Sequence, residues 1–162
     1  MQLELHAEVS RLDNLHSFFV SKVLLDSGAT ISAISQDFVV ANSIPMERLE
    51  RPIRVTNADG TPNIHGFVTD IVTIRLRILD HEERVTLQVS KLQDHDIFLG
   101  FDWFTKHNPS IDWTTRQVTF DRCPSECTIH VPSDIEIQSI RWYTELEDDV
   151  IIDPPQPDQL AL

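Results

Sequence analysis

The chain has 162 residues, 41% hydrophobic and 7% aromatic, with 13 basic and 26 acidic side chains for a net charge of −13. That length holds one ordinary domain and an appendage, and excludes two independent catalytic domains. The acidity excludes a phosphate-backbone binder, which needs clustered Lys and Arg, and no apolar run approaches the roughly 20 residues that cross a bilayer.

The first ten residues alternate apolar Leu3, Leu5, Ala7 and Val9 with polar neighbours, the period of a half-buried strand, and lack the basic start and apolar core of a secretory signal. Phe18–Leu25 is a more continuous apolar run, expected as a buried strand. It leads into Asp26-Ser27-Gly28-Ala29-Thr30. A carboxylate at the end of an apolar strand is held in a dry place where it can do acid–base chemistry. Ser27 can steady the turn by a hydrogen bond. Gly28 lets backbone approach so that its N–H serves the carboxylate, and Ala29 leaves the pocket open. Taken alone, the same letters also describe a surface turn with an Asx-type hydrogen bond.

Ser35–Asn42 reads as a short helix with Ser35 as N-cap. Next comes Val55–Phe67, with the turn signal Asn57-Ala58-Asp59-Gly60 at its centre, predicting a hairpin whose tip lies near Gly60. Parts of Val68–Ile78 and Val85–Val89 alternate again, with Leu79-Asp80-His81-Glu82 as the turn between them. Ile97-Phe98-Leu99-Gly100 is an apolar strand closed by glycine. It precedes a second short helix, Asp102–His107, with Asp102 as the expected cap and Asn108-Pro109 as the stop. Many short strands at this spacing point to a closed or sandwiched β fold.

After Phe120 the pattern dissolves. Residues 121–162 hold ten acids, two bases and five prolines, and read as an acidic linker or tail, with Ile135–Trp142 apolar enough to dock. Cys123 and Cys127 are too few for a disulfide framework and have no sequence-adjacent partner pair for tetrahedral zinc. The seven histidines show no ligand-like clustering along the chain, so no metal or cofactor is expected. The cysteine usage fits a reducing, intracellular and cytoplasmic setting.

Asp-Ser-Gly-Ala at 26–29, followed seventy residues on by apolar-apolar-Gly and a helix, resembles the retropepsin-like aspartic proteases. The similarity is strongest to those of gypsy-type LTR retrotransposons, and then to the retropepsin domain of the DNA-damage-inducible protein family. It extends through Lys106-His107-Asn108-Pro109-Ser110-Ile111-Asp112-Trp113 and covers roughly residues 15–120. The resemblance implies an all-β, small closed barrel of acid-protease type over residues 1–120, with one short helix near its C-terminal end. It implies Asp26, Ser27 and Gly28 as the catalytic turn. Substrate would be held by Ala29, Thr30, Phe98 and a flap tip of Ala58, Asp59, Gly60 and Thr61, in a cleft lined by Ile31, Ile53 and Val55.

Only one such motif is present, while the chemistry needs two carboxylates, so a homodimer that brings two copies of Asp26 together is expected. The reading is thus an aspartic endopeptidase acting on a retroelement polyprotein, without metal, nucleotide or membrane. Two other readings stay open: the same fold as a silent dimeric peptide-binding or assembly module, and a zinc-dependent module around Cys123 and Cys127. Viral retropepsins commonly place an acid after the motif and an arginine after the downstream glycine. Here those places hold Thr30 and Phe101, so dimer contacts must come from elsewhere.

Overall fold

Period-two alternation becomes a ring of strands. The computed structural model describes residues 3–56 and 59–130, with the backbone alone for 63–65. In chain order the elements are β1 (Leu3–Arg11), β2 (Asn14–Leu25), β3 (Ala33–Ser35), α1 (Gln36–Ala41), β4 (Glu47–Thr56), β5 (Pro62–Ile78) and β6 (His81–Ser90). They continue with β7 (Ile97–Leu99), α2 (Phe101–His107), β8 (Ser110–Asp112), β9 (Gln117–Thr119) and β10 (Thr128–Ile129). The main sheet runs β10-β6-β3-β7-β2-β1-β5-β4, and an additional β5–β6 pairing closes six of these strands into a ring. The described residues form a mostly β, closed fold with two short helices, as α1 joins the helix expected near the C-terminal end.

Inside the ring lie Val9, Ile34, Ile74, Leu76, Ile97 and Leu99, all fully buried. β5 contributes Val68, Val72, Ile74, Leu76 and Ile78 from one face, the alternation read from the sequence. β7 is only three residues long but sits at the centre, parallel to β2 and antiparallel to β3. Asp96 fixes its entry: its carboxylate accepts the Lys22 N–H at 2.7 Å and its N–H donates to the Lys22 carbonyl at 2.9 Å.

Three expectations are corrected. β2 is buried only toward its end, and Phe18 and Val20 are 54% and 62% exposed. The reason is pairing: β7 meets β2 only at Val23–Leu25, so the earlier half of β2 runs past the ring as one arm of the β1–β2 hairpin. Secondly, α2 begins at Phe101 with Gly100 as its N-cap, so Asp102 lies within the first turn rather than capping it. Thirdly, the ordered fold continues past Phe120, because β10 pairs with β6 through Thr128↔Glu82 and Ile129↔His81. Residues 131–162, including the Ile135–Trp142 stretch, lie outside the described residues. Ser35 does cap α1, accepting the Phe38 N–H, and Asn108 adopts the left-handed conformation that stops α2 before Pro109.

Among the described residues no helix is long and apolar enough to cross a membrane.

Candidate active site

β2 ends at Leu25 and delivers Asp26 into a tight loop beside β7. The Asp26 N–H donates to the Leu99 carbonyl at 2.9 Å, extending the parallel register in which Leu24 faces Phe98 and Leu25 faces Leu99. The carboxylate is half-buried, and its Oδ1 accepts the Gly28 N–H at 2.9 Å. A second bond, Ala29 N–H to the Asp26 carbonyl at 3.1 Å, closes the turn. A Cβ on Gly28 would lie 3.1 Å from that same Oδ1, so glycine is what lets the backbone reach the acid group.

Glycine at 100 has a steric reason. A Cβ there would lie 2.7 Å from the Ala29 carbonyl oxygen and 2.9 Å from the Ile31 carbonyl carbon. The loop that carries Asp26 therefore packs directly on the end of β7, and the start of α2 is hydrogen-bonded to it. Phe101 N–H donates to Ala29 O at 2.7 Å, and Asp102 N–H to Thr30 O at 3.3 Å.

Ser32 had no part in the sequence reading and Asp102 only that of a helix cap, yet together they lock this arrangement. The Ser32 hydroxyl donates to Asp102 Oδ1 at 2.7 Å and accepts the Gly100 N–H at 2.9 Å, while the Ser32 N–H donates to Asp102 Oδ2 at 3.1 Å. Trp103 N–H adds a bond to Oδ1 at 2.8 Å. A buried serine and a carboxylate thus join loop to helix, while Phe101 is 56% exposed. An acid in the first turn after the apolar-apolar-Gly strand was a visible signal for Asp102. Ser32 carried none.

The remaining expected site residues are placed as follows. Ser27 and Thr30 are exposed on the loop, and Ala29 is half-buried. Phe98 is half-buried on β7, its ring edge-on to His95 with centroids 5.6 Å apart. Asp59, Gly60 and Thr61 lie in the β4–β5 hairpin, where Thr56 pairs with Pro62. Asp59 Oδ1 accepts both the N–H and the hydroxyl of Thr61, at 2.9 and 2.6 Å, and Gly60 has φ +82°. These contacts are internal to the hairpin, and Ala58 lies outside the described residues. β4 is almost wholly exposed, and Ile53, Phe67 and Ile31 add 38%, 59% and 43% exposed apolar side chains.

Elsewhere a buried polar group forms around Glu83. Trp103 Nε1–H donates to its Oε1 at 2.6 Å, and His107 Nε2 faces its Oε2 at 3.0 Å. Burial pushes the Glu83 carboxyl up, but the close His107 ring, the Trp103 hydrogen bond and the nearby His81 imidazole more than offset this, leaving it below its ordinary value. Burial also pushes the His81 imidazole down and raises both thiols, that of Cys127 to about 12 with help from Cys123.

An acid group at a strand end, held by the Gly28 N–H and backed by apolar-apolar-Gly in a closed six-stranded ring, defines a retropepsin-like aspartic protease domain. The model of the PEG10/RTL1 protease domain matches residues 22–127, well over half of the chain, and the chain belongs to that family. Among solved structures it is similar to the retroviral protease-like domain of Ddi1 from Leishmania major, 14% identical, covering 80% of this chain and 95% of that one with a TM-score of 0.47. It is also similar to Lpg0085 from Legionella pneumophila, a protein of unknown function, 13% identical, covering 67% and 89% with a TM-score of 0.38.

Proposed function

We propose that the chain is an aspartic endopeptidase that works as a homodimer and hydrolyses peptide bonds of a retroelement polyprotein. The observation that carries this is the half-buried Asp26 carboxylate held by the Gly28 N–H, in a chain with a single copy of the motif. An isologous dimer turns one such residue near the axis into a pair.

Two carboxyls a few ångströms apart resist double ionisation and share a proton. The ionised partner takes a proton from water, whose oxygen attacks the scissile carbonyl carbon while the protonated partner hydrogen-bonds the carbonyl oxygen. Collapse of the tetrahedral intermediate breaks the C–N bond as the leaving nitrogen is protonated. Substrate lies extended along the loop residues Ala29 and Thr30 and beside Phe98, with the tip of the β4–β5 hairpin over it as an added strand. The exposed apolar side chains Ile31, Ile53 and Phe67 support a cleft that takes apolar residues.

The test is peptide cleavage across a range of chain concentrations, read beside sedimentation. Activity should rise faster than linearly until dimers saturate and should be blocked by a pepstatin-type inhibitor. Asp26→Asn should abolish it while leaving sedimentation unchanged. Undiminished cleavage in that variant removes the protease reading; an inert wild-type dimer that still binds peptide supports the silent module instead.

A further inference from the structure

The fold brings together four residues that the sequence keeps apart. His81 opens β6, His107 ends α2, and Cys123 and Cys127 lie on the segment leading to β10. One donor atom from each falls in a group whose members all lie within 4.8 Å of one another. From this geometry we infer that the protein holds a structural zinc-type divalent cation between His81, His107, Cys123 and Cys127, outside the protease machinery.

The two sulfur–nitrogen spacings at His107 are those of a tetrahedral site. With Zn–S near 2.3 Å and Zn–N near 2.05 Å, tetrahedral angles put sulfur and nitrogen about 3.6 Å apart. His107 Nδ1 lies 3.6 Å from the Cys123 sulfur and 3.4 Å from the Cys127 sulfur.

The histidines supply a second observation. Both are fully buried, and neither ring nitrogen of His81 has a hydrogen-bond partner among the described residues. A buried imidazole without a partner is costly, and a ligand accounts for it. His81 is stacked on Phe120, ring centroids 4.5 Å apart, and stands edge-on to His107 at 4.9 Å.

Outer contacts complete the arrangement. Glu83 Oε2, 3.0 Å from His107 Nε2, favours the tautomer with its proton on Nε2, which leaves the Nδ1 lone pair for the cation. Lys106 Nζ sits 3.8 Å from the same Glu83 oxygen and balances its charge. Two thiolates and two neutral imidazoles around a divalent ion make a neutral, closed site, which suits zinc and leaves no open position for catalysis. Binding converts two thiols to thiolates and releases two protons to solvent. Its structural effect is to clamp the 121–130 segment and the end of α2 onto β6.

The experiment uses the full chain, stripped with a chelator under reducing conditions and reloaded with zinc or cobalt. One metal per chain should rebind, the cobalt form should show thiolate charge-transfer and intense tetrahedral ligand-field bands, and zinc should raise the melting temperature. Cys123 and Cys127 should be shielded from alkylation by zinc and freed by chelator, a readout on the wild-type chain that needs no folded variant. Cys123→Ser/Cys127→Ser should lose the metal while Asp26→Asn keeps it. Absence of tetrahedral cobalt bands, zinc that leaves both cysteines equally open to alkylation, or metal retained by the double-serine variant would overturn the site.

Discussion

Ser32 and Asp102 meet through two hydrogen bonds, hydroxyl to Oδ1 at 2.7 Å and backbone N–H to Oδ2 at 3.1 Å, and join the loop that carries Asp26 to the helix behind it. The serine is 3% exposed, so solvent does not readily replace what a substitution removes. Ser32→Ala leaves the Gly100 N–H without its acceptor and strips one donor from the carboxylate. The expected loss is about 1–3 kcal/mol of stability, measured by urea unfolding, with a fall in cleavage as the loop loosens. Ser32→Thr, which keeps the hydroxyl, should recover part of both if its methyl is accommodated.

Gly28 and Gly100 should fail in different ways. At Gly100 the new methyl meets backbone at 2.7 and 2.9 Å, and neither partner can swing aside, so Gly100→Ala should displace the loop and cost about 1–3 kcal/mol or more. At Gly28 the methyl meets only the Asp26 carboxylate oxygen at 3.1 Å. Gly28→Ala should therefore leave the unfolding midpoint nearly in place while turning the acid group and lowering kcat. Equal stability losses in the two variants would contradict this division.

At the hairpin tip, Asp59 organises the turn through two bonds to Thr61. All of this is solvent-exposed, so Asp59→Ala should not move the unfolding transition. If the hairpin closes over substrate, the looser tip should raise KM with kcat little changed. A fall in kcat with KM constant would place the hairpin in the chemistry instead.

Legibility followed the range of the interaction. Alternation in β1 and β5, the Ser35 cap and the Asp59-Gly60 turn are local, and each was readable within a few residues. The exposure of Phe18 and Val20 was not, because an apolar run does not reveal that β7 reaches only the last three residues of β2. Nor was the cysteine–histidine cluster, whose members come from β6, α2 and the 121–130 segment; only the Cys-x-x-x-Cys spacing could be seen. His81 and Glu83 carried one overlooked signal. Both occupy inward positions of the strand whose later inward residues are Val85 and Leu87, so a charged side chain is placed toward the core.

That inward position makes Glu83 a sensitive test of how the buried polar group is held together. The residue is 4% exposed and serves both the Trp103 indole and the His107 imidazole. Glu83→Ala leaves the Trp103 indole N–H without its acceptor in a dry environment, and a loss of about 1–3 kcal/mol is expected, the cost of a buried donor left unsatisfied. Glu83→Gln keeps a carbonyl oxygen for the indole and gives up the charge, so its loss should be smaller. Chemical denaturation of the three proteins in chelator decides this without any contribution from bound metal. If alanine and glutamine cost the same, the hydrogen bond to Trp103 contributes nothing and the charge facing His107 accounts for the whole effect.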